Sequence, residues 1–264
     1  MKRPTAVILS IFLCVVAAGA TEIREFDIPT LEKLGRELSR RDAMAARASD
    51  LVLAKHPELK KGPLLEWVTD LSNGEGVYWI VDTKPQPTPV YRVVGDRIED
   101  IHGKPLPPAI QTRYRARRNV IKAVLPKLNG AYGAHYNFEV LNDPDGGGFL
   151  VYALAATNKR DEMLIGGHFR VTVSADGSTV ERIDDLSKGL MRFKLESGQK
   201  LELNASAQAV NSNHPVETFV YSSYLYHVPM FVGTKDKAYW VVNDGKIHKF
   251  TRAELEAAGH TEKK

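Results

Sequence analysis

The spacing of apolar residues predicts one long helix near the start of the folded chain. Leucine, methionine, alanine and valine recur at intervals of three and four over residues 31–54, with a break suggested near Ser39. Pro29 comes just after Asp27, an arrangement typical of the first turn of a helix. The pattern ends at His56-Pro57, because the residue before a proline disfavours helical backbone.

Short stretches of alternating polarity, bounded by turn residues, then predict the strands of an antiparallel meander. These stretches cover residues 65–71, 77–81, 90–94 and 97–101, and Gly95-Asp96 joins the last two as a hairpin. A helix followed by a meander is therefore the first predicted unit, residues 21–106.

The same order of elements is predicted a second time, over residues 107–190. A helix begins at Pro107-Pro108 and ends near Asn129-Gly130. Predicted strands follow at 136–141, 149–156, 168–174 and 179–186. The sequence Arg-Ile-Glu-Asp-Ile at 97–101 matches Arg-Ile-Asp-Asp-Leu at 182–186. This match favours either a tandem duplication or the ordinary likeness of short hairpins.

Residues 191–264 are predicted to form a third, β-rich segment that ends in a short helix. The pattern predicts a hairpin within 192–203 and a helix capped by Thr251 and Glu254; the predicted strands are 218–226, 230–233, 238–243 and 246–250. The fold class is thus α+β, with helix-then-antiparallel-meander units and a C-terminal β segment. The order of elements resembles cystatin-like or PepSY-like units, in which one helix lies on an antiparallel sheet.

The first twenty residues have the features of a signal peptide. Lys2 and Arg3 give a positive head, residues 6–16 are almost wholly apolar, and Ala18-Gly19-Ala20 is a small-residue cleavage site. An uncleaved anchor would need about 20 apolar residues. A lipoprotein would need a small residue in place of Leu13 before Cys14. We therefore predict cleavage near Ala20 and a periplasmic or secreted protein.

Composition limits the classes of partner and the means of stabilisation. Cys14 is the only cysteine, so the predicted mature chain has no disulfide and must depend on its apolar core. The net charge is +4, and Lys2 and Arg3 contribute to it. A charge of this size is too small to indicate a nucleic-acid partner. After Ala20 we predict no transmembrane segment.

The end of the chain resembles a group of exported proteins. His-Pro-Val-Glu-Thr at 214–218, Tyr-Ser-Ser-Tyr-Leu at 221–225, Pro-Met-Phe-Val-Gly-Thr at 229–234 and Tyr-Trp-Val-Val at 239–242 carry the likeness. It is similar to the ending of certain exported proteobacterial proteins that have no assigned activity. The resemblance implies a periplasmic location and no particular chemistry.

The second predicted helix carries a run of basic residues with almost no acid to offset them. Its members include Arg113, Arg117, Arg118 and Lys122, and like charges four residues apart repel along a helix face. Either this face is simply solvated, or it binds an acidic protein or an anionic envelope component.

Aromatic and histidine residues supply the other candidate sites. Tyr224 and Tyr226 fall in the predicted strand 218–226, as part of either a binding face or the core. His168 and His214 are candidates for a hydrolase or a ligand site, or for a metal set with His135 and Glu217. The chain has no zinc-binding spacing, nucleophile elbow or phosphate-binding loop, so we predict no metal and no cofactor.

Three functional hypotheses follow from these features. The first is an exported, non-enzymatic interaction or binding module that uses the basic helix or a sheet face. The second is a periplasmic hydrolase or small-ligand-binding protein that uses the histidines of the second unit and the C-terminal segment. The third is a structural protein of an envelope assembly.

Overall fold

A computed structural model describes most of the chain beyond the predicted signal peptide, whose residues 1–20 lie outside it. The described residues are 22–61, 65–72, 75–81, 88–128, 134–159, 161–187, 189–194, 207–208, 212–236, 238–251 and 253–254. Within these ranges no helix is long and apolar enough to cross a membrane. Helices and antiparallel sheets together confirm the predicted α+β class.

The helices are α1 (Ile28–Lys55), α2 (Pro108–Leu128) and α3 (Glu217–Tyr226), and a 3-10 turn at Pro57–Lys61 follows α1. The strands are β1 (Leu65–Asp70), β2 (Gly76–Val81), β3 (Thr88–Val94), β4 (Arg97–Asp100), β5 (His135–Asn142), β6 (Phe149–Ala156), β7 (Glu162–Gly166), β8 (Phe169–Val173), β9 (Val180–Asp185), β10 (Leu190–Lys194), β11 (Ala207–Gln208), β12 (Met230–Gly233), β13 (Tyr239–Asn243) and β14 (Lys246–Lys249). The break predicted near Ser39 is wrong, since α1 is continuous. Asp27 caps it by accepting a hydrogen bond from the Thr30 backbone N–H at 2.9 Å.

The first sheet has the predicted meander, in the order β1-β2-β3-β4. Its last hairpin pairs Val94 with Arg97, and Gly95 provides the positive φ of 58° that the turn requires. The second sheet has the order β5-β6-β8-β9. These strands were all predicted, but β7 was missed because it is a nearly continuous buried run without alternation.

Strand β7 leaves the second sheet and pairs with β10 instead. Residues 192–194 of the hairpin predicted within 192–203 lie in β10, and the remainder of that prediction lies outside the described residues. In the C-terminal sheet, β11 runs parallel to β12, and β12, β13 and β14 form the predicted antiparallel order. Thr251 and Glu254 exchange the predicted capping hydrogen bonds.

The main error of the sequence prediction is α3, because residues 218–226 form a helix and not a strand. Threonine, valine, phenylalanine and tyrosine favour strands locally. Residues 217–223 are all buried, so the helix shows no amphipathic periodicity by which it could be recognised. The strand face that Tyr224 and Tyr226 were expected to share is wrong for the same reason.

The two long helices each span the first and second sheets. The first half of α1 packs with α3 and the second sheet through Leu31, Leu34 and Leu38, and its second half packs on the first sheet through Ala48 and Val52. Helix α2 packs on the opposite face of each sheet. Its Ile110 and Tyr114 pack with Val68 and Ile80 of the first sheet. Its Val120 and Val124 pack with Val140 and Val151 of the second sheet.

Helices α1 and α3 approach each other most closely at Gly35, which leads to a first prediction. A Cβ atom at this position would lie 2.4 Å from Val220 Cβ and 2.5 Å from the Glu217 carbonyl oxygen. Helix propensity alone favours alanine over glycine by about 1 kcal/mol. We expect the steric overlap to prevail, so that Gly35→Ala lowers the free energy of unfolding by about 1–3 kcal/mol in urea denaturation.

Gly189→Ala is the matched control, because nothing lies within 4 Å of the Cβ added there. Its stability should equal that of the wild type. A Gly35→Ala protein as stable as the wild type would show that the helices can separate without cost.

Candidate functional site

A cleft of about 230 Å³ opens where α1, α3, β5 and β6 meet. Side chains from distant parts of the chain line it: Asp42, Asn137, Ala155, Ala156, Thr157, Lys159, Glu162, Tyr221, Leu225 and Tyr226. Helix α1 supplies the aspartate, β5 the asparagine, and α3 the two tyrosines. We refer to this feature as the Asp42 cleft.

Two neutral side chains hold the carboxylate of Asp42 in place. Tyr221 Oη donates a hydrogen bond to Asp42 Oδ2 at 3.0 Å, and Asn137 Nδ2 donates to Asp42 Oδ1 at 3.3 Å. Burial raises the pKa of Asp42 above its usual value, and these two hydrogen bonds oppose the shift. Among the described residues, no cation forms a salt bridge with Asp42.

His168 lies behind the wall of the Asp42 cleft. Its Nδ1 accepts a hydrogen bond at 3.0 Å from the backbone N–H of Ala155, and its ring meets Tyr221 edge-on at a centroid distance of 5.9 Å. Burial lowers the pKa of His168 to about 4, so the ring is neutral near pH 7 and Nε2 carries the proton. Nε2 has no hydrogen-bond partner in the described part of the chain. His168 therefore orders two residues of the cleft wall.

Charges at the mouth of the cleft are paired with each other. Glu162 accepts a hydrogen bond from Thr157 Oγ1 at 2.7 Å and lies 3.0 Å from Arg192 Nη1 and 3.6 Å from Lys159 Nζ. Tyr226 Oη accepts from the backbone N–H of Leu164 at 3.0 Å. No described acceptor takes the hydroxyl hydrogen of Tyr226, so it is free to donate.

Only some of the predicted site residues meet here. Tyr226 lines the cleft and His168 lies behind its wall, whereas Tyr224 donates to the Asp244 carbonyl at 3.3 Å, beside Gly245. His214 lies elsewhere, with Nε2 at 4.0 Å from a Glu25 carboxylate oxygen. The structure does not bring Tyr224 or His214 to the cleft.

The predicted basic face of α2 is wrong for Arg113 and Arg117, because both side chains are buried. Arg113 Nη1 donates to the Val140 carbonyl at 2.9 Å, while Arg117 and Arg118 each donate to Glu66 at 2.5 Å. The sequence pattern gave no sign that a β1 carboxylate would offset this helix. Positions 113 and 117 instead face the sheet and bind its polar groups.

The outer face of α2 is still basic. Arg115, Lys122 and Lys127 are exposed on it, and Lys122 is the one of these that the sequence analysis named as a binding residue. The exposed charge is thus smaller than the run of basic residues indicates.

The alternative chemistry proposed for the histidines is not assembled in the described residues. No group of three or more histidine, cysteine or acidic residues there is placed to hold a metal. Glu217, one member of the predicted metal set, is occupied by Arg170 at 2.9 Å and Tyr152 Oη at 2.8 Å. Asp184, near the end of β9, is bound by the same arginine.

Sequence analysis missed Asp42 and Tyr221, the central pair of the cleft. A signal for Asp42 exists, because it lies within the apolar stripe of α1, between Leu38 and Ala45. Tyr221 could not be assigned while its segment was taken for a strand. Comparison of the chain with protein-family models, with curated proteins and with solved structures finds no match.

Proposed function

We propose that this protein is an exported, non-enzymatic binding protein that holds a small polar ligand in the Asp42 cleft. The observation that carries the proposal is a largely desolvated carboxylate, fixed by Tyr221 and Asn137 and lacking a cation among the described residues. Such a group costs folding free energy unless something pairs with it. Polar groups held in this way in a cleft are typical of functional sites.

The size of the cleft limits the ligand. Pockets for drug-sized ligands usually measure about 300–1,000 Å³. At about 230 Å³, the Asp42 cleft suits a molecule of a few heavy atoms, or one end of a longer molecule. Convergent polar groups on an otherwise mixed lining favour recognition by hydrogen bonds.

Binding through the cleft has more structural support than binding through the basic helix or than hydrolysis. Arg117 and Arg118 of α2 share the Glu66 carboxylate, and Arg113 is buried against the sheet. His168 is neutral near pH 7, and its Nδ1 is already committed to Ala155. The cleft therefore provides a site to hold a ligand more clearly than a nucleophile with its base.

A screen of small polar compounds tests the proposal. Thermal unfolding of residues 21–264 would be followed with cationic, neutral and anionic compounds of amino-acid size. A ligand present at 100 times its Kd should stabilise the protein by about 2.7 kcal/mol and raise Tm by several degrees. Ala156→Phe, which places a ring in the cleft, should reduce the affinity of any hit at least about tenfold.

Ala43→Phe is the matched control, since it adds the same ring at an exposed position of α1. It should bind each hit as the wild type does. The proposal fails if no compound stabilises the protein, or if Ala156→Phe binds the hits unchanged.

A further inference from the structure

The charge of the Asp42 cleft indicates the chemical class of its ligand. Glu162, at the mouth of the cleft, forms ion pairs with Lys159 and Arg192. Asp42 has only neutral partners in the described structure. A cationic ligand group would therefore be drawn to Asp42.

We infer that the ligand carries a primary ammonium group that pairs with the Asp42 carboxylate; this inference rests on the proposed function. A carboxylate has about four acceptor positions, and Tyr221 and Asn137 use one on each oxygen. Acceptor positions therefore remain on both oxygens.

An ammonium group suits these remaining positions better than a guanidinium. A guanidinium pairs best when both carboxylate oxygens are free along one edge, so that two parallel hydrogen bonds form. Here each oxygen already accepts a hydrogen bond. A compact ammonium with three rotatable donors needs no such edge.

Tyr226 adds a second requirement. Its hydroxyl oxygen accepts from the Leu164 N–H, and among the described residues its hydrogen has no acceptor. A hydroxyl or carbonyl oxygen close to the ammonium group would satisfy this donor. Small amino alcohols and amino acids share that chemistry.

Ethanolamine and ethylene glycol provide a direct test, because they differ mainly in one ammonium group. Ligand-observed NMR and calorimetric titration would measure their affinities for the wild type, Asp42→Asn and Asp50→Asn. We expect ethanolamine to bind the wild type at least about tenfold more tightly than ethylene glycol does, and Asp42→Asn to remove this difference. Asp50 is exposed on the same helix, so Asp50→Asn should behave like the wild type.

The wild-type protein gives a second readout that requires no variant. Ethanolamine should shift the NMR signals of the Asn137 side-chain amide and of the Ala155 and Ala156 backbone amides. Undiminished ethanolamine binding to folded Asp42→Asn, or absent shifts at these amides, would overturn the inference.

The charge of the probes that bind separates this inference from the proposed function. If only neutral or anionic probes bind, and Ala156→Phe blocks them, the ammonium assignment fails while the proposed binding function stands. If no probe of any charge binds, both fail.

Discussion

Replacing Arg170 with methionine should lower the free energy of unfolding by about 3–5 kcal/mol. The Arg170 side chain is 0% exposed, and it contacts Asp184 and Glu217 at 2.9 Å each. Without the guanidinium, Glu217 remains fully buried, with the Tyr152 hydroxyl as its described donor. An uncompensated buried charge is costly, so urea unfolding followed by circular dichroism should show an early midpoint.

Two further variants identify the cause of this loss. Arg182 also contacts Asp184, at 2.6 Å, but its side chain is 39% exposed, so Arg182→Met should cost less than about 1 kcal/mol. Adding Glu217→Gln to Arg170→Met should recover part of the stability, because it removes the stranded charge. If Arg170→Met were no worse than Arg182→Met, the buried triad would not stabilise the fold as argued.

Arg170→Met should disturb the Asp42 cleft as well as lower the free energy of unfolding. Glu217 begins α3, the helix that presents Tyr221 and Tyr226 to the cleft. Its carboxylate near the helix N-terminus is favourable only while Arg170 compensates its burial. We therefore infer that this buried ion triad keeps the cleft in shape.

Local patterns were sufficient to predict the parts of this fold that depend on local interactions. Helices α1 and α2 have apolar stripes with proline or asparagine-glycine boundaries. Strands were predicted on either side of Asp244-Gly245, and both residues have the positive φ angles of a two-residue turn. By contrast, α3 depends on burial from every side, which overrides its local preference for strand.

The candidate site was hidden by the same effect. In a strand, Tyr221 and Tyr226 would lie on opposite faces, whereas in α3 both line one cleft. Asp42 meets Tyr221 across 179 positions of sequence, a pairing that no local pattern encodes. His168 could be named as a candidate from its chemistry alone, but its position behind the cleft wall required the fold.

Glu139 and His168 should give stability opposite dependences on pH. Burial raises the pKa of Glu139 from 4.5 to about 7, so its contribution is fully present below pH 4.5 and is lost as pH rises to 7. Burial lowers the pKa of His168 from 6.5 to about 4, so its contribution is present above pH 6.5 and is lost as pH falls to 4. Each amounts to about 3 kcal/mol over its range.

Between pH 4.5 and 6.5 these two effects oppose each other, so removing either group should expose the other. Glu139→Gln should leave a protein whose stability falls by about 3 kcal/mol, relative to the wild-type profile, as pH is lowered to 4. His168→Asn, which keeps an acceptor for the Ala155 N–H, should instead lose stability relative to the wild type as pH rises from 4 to 6.5. Urea unfolding at half-unit steps of pH would measure both profiles.

Glu58→Gln is the control for these profiles, because Glu58 is exposed, and its stability should follow the wild type at every pH. Glu139 of β5 links the second sheet to the first by accepting hydrogen bonds from Thr69 Oγ1 at 2.8 Å and Trp67 Nε1 at 3.4 Å, both in β1. Repulsion by the Asp42 carboxylate also raises the pKa of Glu139. Parallel profiles for Glu139→Gln and the wild type would contradict the raised pKa of Glu139.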